Sequence, residues 1–198
     1  MRKDGNVKEA FTSADKVMER VYESPFLPHN TLEPMNFFAN VTPDKVHLVG
    51  PVQTPQAAAE VVSDLLGRDI EDIHVEMTRM GGGFGRRLHT PNAIQAAVLS
   101  KAVGKPVKCF FNRKEEFQKD TFRPTNHHVL KAKLSEDGRI EAIEHNVSSG
   151  DVMFGSALLP GFLDPIVGAD VGAWRGGMIQ YGGIPNFRAV SWRVKLPF

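Results

Sequence analysis

Cysteine is almost absent: Cys109 is the only one in 198 residues. A lone thiol forms no internal disulfide and supplies neither a cysteine-based zinc site nor an iron–sulfur cluster. An excess of charge of one sign is missing too. The formal net charge is +1 with 24% charged residues, which leaves no electrostatic footprint for nucleic acid or an anionic membrane. No apolar run approaches the ~20 residues a membrane-spanning helix needs. The opening Met1-Arg2-Lys3-Asp4-Gly5 has no apolar signal region, a pattern that a start methionine appended to an excised segment would share. Repeats and low-complexity tracts are absent. The length suits one large or two small domains and is enough to bury a substantial core.

What the chain does have is glycine in one place. Met80-Gly81-Gly82-Gly83-Phe84-Gly85-Arg86-Arg87 carries four glycines in five positions. Such a cluster adds no side-chain burial, so it implies unusual backbone angles or a very close approach of backbone to a ligand. Before it, Ile73, Val75 and Met77 alternate with His74, Glu76 and Thr78, which predicts a half-buried strand. After it, Thr90-Pro91 predicts a helix start with threonine as cap. Strand, glycine loop and helix together form an arrangement that holds anions or cofactors with main-chain N–H groups. Two nucleotide patterns fail. Arg86 stands where the phosphate loop requires its second glycine, and again where the dinucleotide fingerprint requires its third.

Along the chain, residues 1–12 are polar and read as a frayed end. Asp15–Glu23 fits either a helix face or a strand. Pro25, Pro28 and Pro34 impose an irregular path on the stretch around His29-Asn30-Thr31-Leu32-Glu33-Pro34-Met35. His29 and Glu33 make a thin metal pair without a third ligand, so they are expected to hold the loop by hydrogen bonds. A hairpin is predicted from Phe37–Val41, a Thr42-Pro43-Asp44 turn and Val46–Val49. Gln53 follows at a strand-to-helix corner, and the next helix presents Ala58, Val61, Val62 and Leu65 before Gly67 ends it. The helix from Pro91 presents Ile94, Ala97, Val98 and Ala102 and stops at Gly104. A strand with Val107, Cys109 and Phe111 on one face makes the cysteine a small core residue. Arg113–Glu116 is charged, either a functional segment or a solvated loop. His127 and His128 begin a hairpin that turns at Asp137-Gly138; the two histidines point to opposite faces and cannot clamp one metal. Gly150–Gly183 is glycine-rich and reads as a long loop region, and Phe187–Leu196 as a final strand.

The glycine string resembles the Gly-Gly-Phe-Gly loop of the molybdenum hydroxylases, the xanthine oxidase and aldehyde oxidase family. Its double arginine looks most like the large (beta) subunit of isoquinoline 1-oxidoreductase-type enzymes. His29 to Met35 is similar to the family's His-x-x-x-Glu-Pro-Met signature, and Arg113–Glu116 to its Arg-Glu-Glu segment. The resemblance favours a strand at 15–23. It implies an α+β fold, mixed β-sheets with helices packed on one face. Residues 1–14 would be a flexible terminus and 15–198 an incomplete molybdopterin-binding domain segment, with 150–183 its glycine-rich loop region. By the resemblance, the backbone of Gly81, Gly82, Gly83 and Gly85 lies against the molybdenum centre and its pterin, with Phe84 beside the metal's oxo ligand. Gln53 takes the place of the family's corner glutamine, which hydrogen-bonds that oxo group, although Val52 replaces the family's threonine before it. Arg86 and Arg87 would reach a phosphate of the molybdopterin cofactor or its cytosine dinucleotide form. The family's catalytic base, a glutamate in a Gly-x-Gly-Glu motif, is not in this chain, so the chain is expected to be a truncated segment with no catalytic residue of its own and inactive alone. Leu88 stands where purine-oxidising members carry a glutamate, which favours an N-heteroaromatic compound or an aldehyde as the small-molecule substrate. Electrons would leave through a small iron–sulfur subunit, and the rest of the large subunit would be the second partner. A rival reading is a non-catalytic phosphate- or nucleotide-binding or assembly module.

Overall fold

The computed structural model describes residues 2–150 and 183–194. The chain divides into two compact units: Pro28–Arg123 is nested in sequence between the two parts of a flanking unit, Met1–Leu27 with Pro124–Phe198. The stretch 15–198, expected as one domain segment, contributes to both units, and the glycine loop lies in the nested one.

In the nested unit, β3 (Asn36–Val41) and β4 (Val46–Gly50) form the expected hairpin. Helix α2 (Pro55–Leu66) crosses over to β5 (Ile73–Met77), which lies parallel to β4. Helix α3 (Pro91–Val103) leads to β6 (Val107–Phe110), antiparallel to β3, so the sheet order is β5-β4-β3-β6. The core forms where Phe37, Ala39, Val46, Leu48 and Ile73 meet Ala58, Ala59, Val62, Ala93, Ala96 and Ala97. Alanines on both helices let their backbones come close to the sheet, and this rotates the buried stripes away from the expected ones. Val61 and Leu65 of α2 and Val98 of α3 are exposed. Ser100, which carries no apolar signal, is fully buried: its Oγ accepts the Val41 N–H at 2.9 Å and donates to Lys105 O at 2.8 Å. Cys109 packs against this core, and burial pushes its thiol upward, as a structural cysteine requires.

The flanking unit is a five-stranded sheet in the order β1-β9-β8-β7-β2. Its centre is the hairpin β7 (Asn126–Leu134) and β8 (Ile140–Ser149), turned at Gly138 with φ +81°. β2 (Met18–Ser24) pairs with β7, which settles the ambiguous stretch as a strand. β9 (Asn186–Arg193) runs parallel to β8, and β1 (Arg2–Asp4) pairs with β9. The N-terminal residues are therefore not frayed. Helix α1 (Val7–Thr12) is capped by Asn6, whose Oδ1 accepts the Glu9 N–H at 3.3 Å, and it buries Val7 against β8 and β9. Of the expected glycine-rich loop region, residues 151–182 lie outside the described residues, as does the end of the expected last strand beyond 194.

Candidate functional site

The loop after β5 has an unusual backbone. Gly82 and Gly85 take φ +100° and +102°, and Phe84 between them sits in the left-handed region at +54°. A bulky residue there is strained by roughly 1–3 kcal/mol unless its surroundings force it. Yet its side chain is 65% exposed, so no packing repays the strain within the described residues. Two tight turns build the loop, Arg86 N–H to Gly83 O at 2.8 Å and Leu88 N–H to Gly85 O at 3.2 Å. At two other glycines the constraint is space. A Cβ on Gly81 would lie 2.6 Å from Glu33 Cβ, and one on Gly83 would lie 2.7 Å from Gln53 Oε1.

Gln53 is the corner piece expected from the sequence. Its Oε1 accepts the N–H groups of Gly85 (3.0 Å) and Arg87 (3.2 Å), and its own N–H donates to Arg87 O at 3.0 Å. Because both side-chain partners are N–H donors, the carboxamide orientation is fixed: oxygen toward the loop, NH₂ away from it. That NH₂ has no acceptor among the described residues. Thr54 leaves α2 uncapped and instead donates its hydroxyl to Leu88 O at 2.9 Å, a second tie between corner and loop. Thr90 likewise makes no capping bond; it starts α3 from φ +48°.

Arg86 is 2% exposed and Arg87 is 1% exposed. Arg87 donates from Nε to Gly82 O (2.8 Å) and from Nη2 to Glu33 O (2.7 Å), and pairs with Glu33 Oε2 at 3.3 Å. Arg86 donates from Nη2 to Lys119 O at 2.6 Å and lies 3.3 Å from Asp120 Oδ1. Both guanidinium groups are thus engaged by carbonyl and carboxylate oxygens of the nested unit itself. A planar fork suits carbonyl and carboxylate oxygens as well as it suits phosphate. Burial pushes the Arg87 guanidinium down, opposed by the charges of Glu33 and Glu116.

Their counter-charges come from residues that sequence reasoning had left open or missed. Glu33 accepts the Gly81 N–H at 2.7 Å, while Gly81 O accepts the Glu33 N–H at 3.1 Å. Burial pushes the Glu33 carboxyl up, but the Gly81 and Asn36 hydrogen bonds and the charges of Arg87 and Lys108 outweigh it and leave it below the usual range. Asp120 accepts the His29 main-chain N–H at 2.5 Å and contacts Nδ1 at 2.8 Å, which makes Nδ1 the protonated nitrogen. Its carboxyl is pushed up by burial yet held low by both His29 bonds and the charges of His29 and Arg86. His29 and Glu33 hold the loop by hydrogen bonds, as expected. The charged stretch at 113–116 is not a solvated loop but opens α4 (Arg113–Gln118), begun by a capping box of Asn112 and Glu115. Its Asn-x-x-Glu pattern was readable. Arg113 donates to Thr31 O and Leu32 O at 2.7 Å each, and buried Glu116 accepts the Met35 N–H at 2.8 Å.

On one side, then, the loop is pinned at nearly every polar atom. The N–H groups of Gly82, Gly83 and Phe84 are the exception: none has an acceptor among the described residues. The Gln53 NH₂ is unpaired in the same way, while the Phe84 ring backs Gly82 and the Gln53 and Met80 side chains back buried Gly83, so neither position has room for a Cβ. That donor set fits a bulky group carrying acceptor atoms, as the pterin-bearing cofactor is. No group of three or more His, Cys, Asp or Glu side chains assembles for a metal among the described residues.

Comparison with known proteins bears on the family and the fold. Residues 1–160 match the family model described as the molybdopterin cofactor-binding domain. The chain is 31% identical over 130 residues to the isoquinoline 1-oxidoreductase subunit beta of Brevundimonas diminuta, covering 65% of this chain and 16% of that one. It is 29% identical over 153 residues to the aldehyde oxidoreductase molybdenum-binding subunit PaoC of Escherichia coli K12, covering 77% of this chain and 21% of that one. Among solved structures, the aldehyde oxidoreductase of Desulfovibrio gigas superposes with a TM-score of 0.74 at 23% identity, over 98% of this chain and 20% of that one, a likeness of fold. The chain thus spans only about a fifth or less of the length of these relatives.

Proposed function

The chain belongs to the molybdopterin cofactor-binding domain family, and from that premise we propose that it is one part of a molybdenum-cofactor oxidoreductase acting on an N-heteroaromatic compound or an aldehyde, with oxygen taken from water. The observation that carries this reading is the orientation of Gln53. Its oxygen is occupied by the Gly85 and Arg87 N–H groups, so only its NH₂ is left to address an acceptor on the cofactor. The bare N–H groups of Gly82, Gly83 and Phe84 take further acceptors on the same group, and exposed Phe84 covers an apolar flank. Gly81, Arg86 and Arg87 act indirectly, holding that surface in shape. When bound, the cofactor supplies two-electron redox chemistry and activates water as the oxygen source.

This chain contributes binding, orientation and exclusion of water around the acceptor. The glutamate that would take the proton belongs to sequence outside the chain, and the isolated 198 residues are accordingly inactive. Leu88, in place of a carboxylate, favours an apolar ring or aldehyde over a purine. An iron–sulfur subunit is the electron acceptor, and the cytosine dinucleotide form is the cofactor variant assigned to it. The rival reading, a phosphate-binding module, is disfavoured because Arg86 and Arg87 are buried.

The test is the intact parent large subunit, co-expressed with its iron–sulfur partner in a host that makes the cofactor. Molybdenum bound per protomer is measured for the wild type, for Gln53→Leu and for Gly83→Ala. Stoichiometric metal in the wild type and its loss in Gly83→Ala support the reading. A folded, metal-free wild-type complex removes it.

A further inference from the structure

The helix that follows the glycine loop has two apolar faces, and the nested unit uses one of them. The inner side of α3 is formed by Asn92, Ala93, Ala96, Ala97 and Ser100, all buried. At about 3.6 residues per turn, the opposite side carries Ile94, Val98, Leu99, Ala102 and Val103. Val98, Leu99 and Val103 are exposed there, and only Gln95 and Lys101 are polar among the exposed residues of the helix. A surface helix ordinarily turns charged and polar residues outward, whereas one that is apolar on every side belongs inside a larger body. Neighbouring α2 makes the contrast. Its exposed Val61 and Leu65 are interleaved with exposed Gln56, Glu60 and Asp64, the mixture expected of a face in water.

Building on the reading of this chain as one part of a larger subunit, we propose that the outer face of α3 docks a further apolar segment of the same parent polypeptide, outside these 198 residues. The length of the relatives leaves room for such a segment, since the matched region makes up 16% of one and 21% of another. The composition of the face selects the segment's character. Lys101 is its one charge, so an opposing surface rich in acids or bases would lose hydration without gaining partners. The complement is therefore aliphatic or aromatic.

The size of the face selects a tethered occupant over a separate one. With 13 residues at a rise of about 1.5 Å each, α3 is about 20 Å long, and a helix is about 10 Å across. The face thus offers roughly 200 Å², or about 400 Å² counting both sides, where a stable interface between separate proteins buries about 1,200–2,000 Å². A second copy of this chain, docked helix to helix, falls well short of that. A segment joined covalently to the chain meets no such threshold, because the connection itself sets its effective concentration at the face. A lipid surface is a poor match as well. Interfacial helices set several lysines or arginines beside their apolar stripe, and α3 has Lys101 alone.

The experiment places the photoreactive residue p-benzoylphenylalanine at Val98 of the intact parent large subunit, co-expressed with its iron–sulfur partner, and at Glu60 of α2 as the control. After irradiation, peptide mass spectrometry should find position 98 joined to large-subunit sequence outside the 198 residues, several-fold above any product from position 60. A crosslink that stays within the 198 residues, one to the iron–sulfur subunit or to a second large subunit, or a yield no higher than at position 60 overturns the proposal. A charge at the same place gives an independent measurement. Val98→Lys should leave the urea midpoint of the 198-residue chain unchanged, because the side chain faces water there, and should cut the yield of folded parent by an order of magnitude. Equal effects in both, or none in the parent, also overturn it. Molybdenum is measured on the same parent samples, so the two readings fail separately. A metal-free complex that still crosslinks removes the oxidoreductase and keeps the docking face; a metal-loaded complex without the crosslink does the reverse.

Discussion

A Cβ built on Gly138 of the β7–β8 turn meets nothing within 4 Å, whereas one built on Gly83 would strike Gln53 Oε1 at 2.7 Å and one on Gly81 would strike Glu33 Cβ at 2.6 Å. The first glycine serves only to reverse the chain; the others are there because neighbouring atoms fill the space a side chain would need. The same contrast runs through both units. Among the described residues, the non-glycine residues with positive φ, Asn30, Phe84, Thr90 and Phe122, belong to the nested unit, as do the buried arginines. In the flanking unit the charged pairs, such as Lys131 with Glu19 and Arg188 with Glu144, lie on a partly exposed sheet face. One region holds a strained backbone with buried charge, and the other is an ordinary sheet with surface charge. Strain that is paid for locally with buried ion pairs marks a site; its absence marks a scaffold.

Four experiments bear on that contrast. The largest effect is expected from Arg87→Ala, which strands Glu33 and the Gly82 and Glu33 carbonyls; urea unfolding should show a loss of roughly 3–5 kcal/mol. The matching change in the flanking unit, Arg188→Ala, should cost less than about 1 kcal/mol because its pair is solvated. Equal losses would erase the distinction. Next, Gly83→Ala should cost about 1–3 kcal/mol through overpacking against Gln53, against about 1 kcal/mol for Gly138→Ala, where only the backbone angle is strained. Third, Asp120→Asn should weaken the fold at neutral pH and flatten its acid limb. Its folded carboxyl lies below the ordinary 3.8, so its contribution is complete above about pH 4 and disappears as pH falls through the folded value. A variant with unchanged acid sensitivity would refute the assignment. The smallest effect is expected from Glu144→Gln: its carboxyl is pushed up by burial and pulled lower overall by Arg188 and Asn146, so the sign is the same, but the group is on a partly solvated face.

The sequence showed some of this plainly and concealed the rest for identifiable reasons. The strand at 73–77, the glycine loop and the helix after it were legible because alternation, glycine clustering and Thr-Pro punctuation are local signals. The two hairpins were legible for the same reason. The fates of Arg86 and Arg87 were not. An arginine beside a glycine loop suggests an anion outside the protein, and only the fold reveals that Asp120 and Glu33, 34 and 54 positions away, supply that charge from within. The buried stripe of α3 was misread because periodicity favours large residues, while tight helix–sheet contact selects Ala93, Ala96, Ala97 and Ser100. The hydrogen bond between His128 Nδ1 and His145 Nε2, 2.8 Å across the β7–β8 hairpin, was in principle recoverable, since the Asp-Gly turn sets the register. The error was to judge adjacent histidines on one strand without following the register to the other strand.

The nesting of one unit inside the other sets a timetable for synthesis. The strands on either side of the insertion, β2 and β7, pair with Ser24 opposite Asn126. Residues 28–123 can therefore be complete while the flanking sheet still lacks β7, β8 and β9. The N-terminal β1 has to wait for β9, which begins at Asn186, before it gains its partner. A ribosome adding ~5–20 residues per second thus releases the nested unit as a finished body several seconds before the flanking sheet can close. During that interval the unpaired edge of β2 would be exposed to anything able to bind a strand.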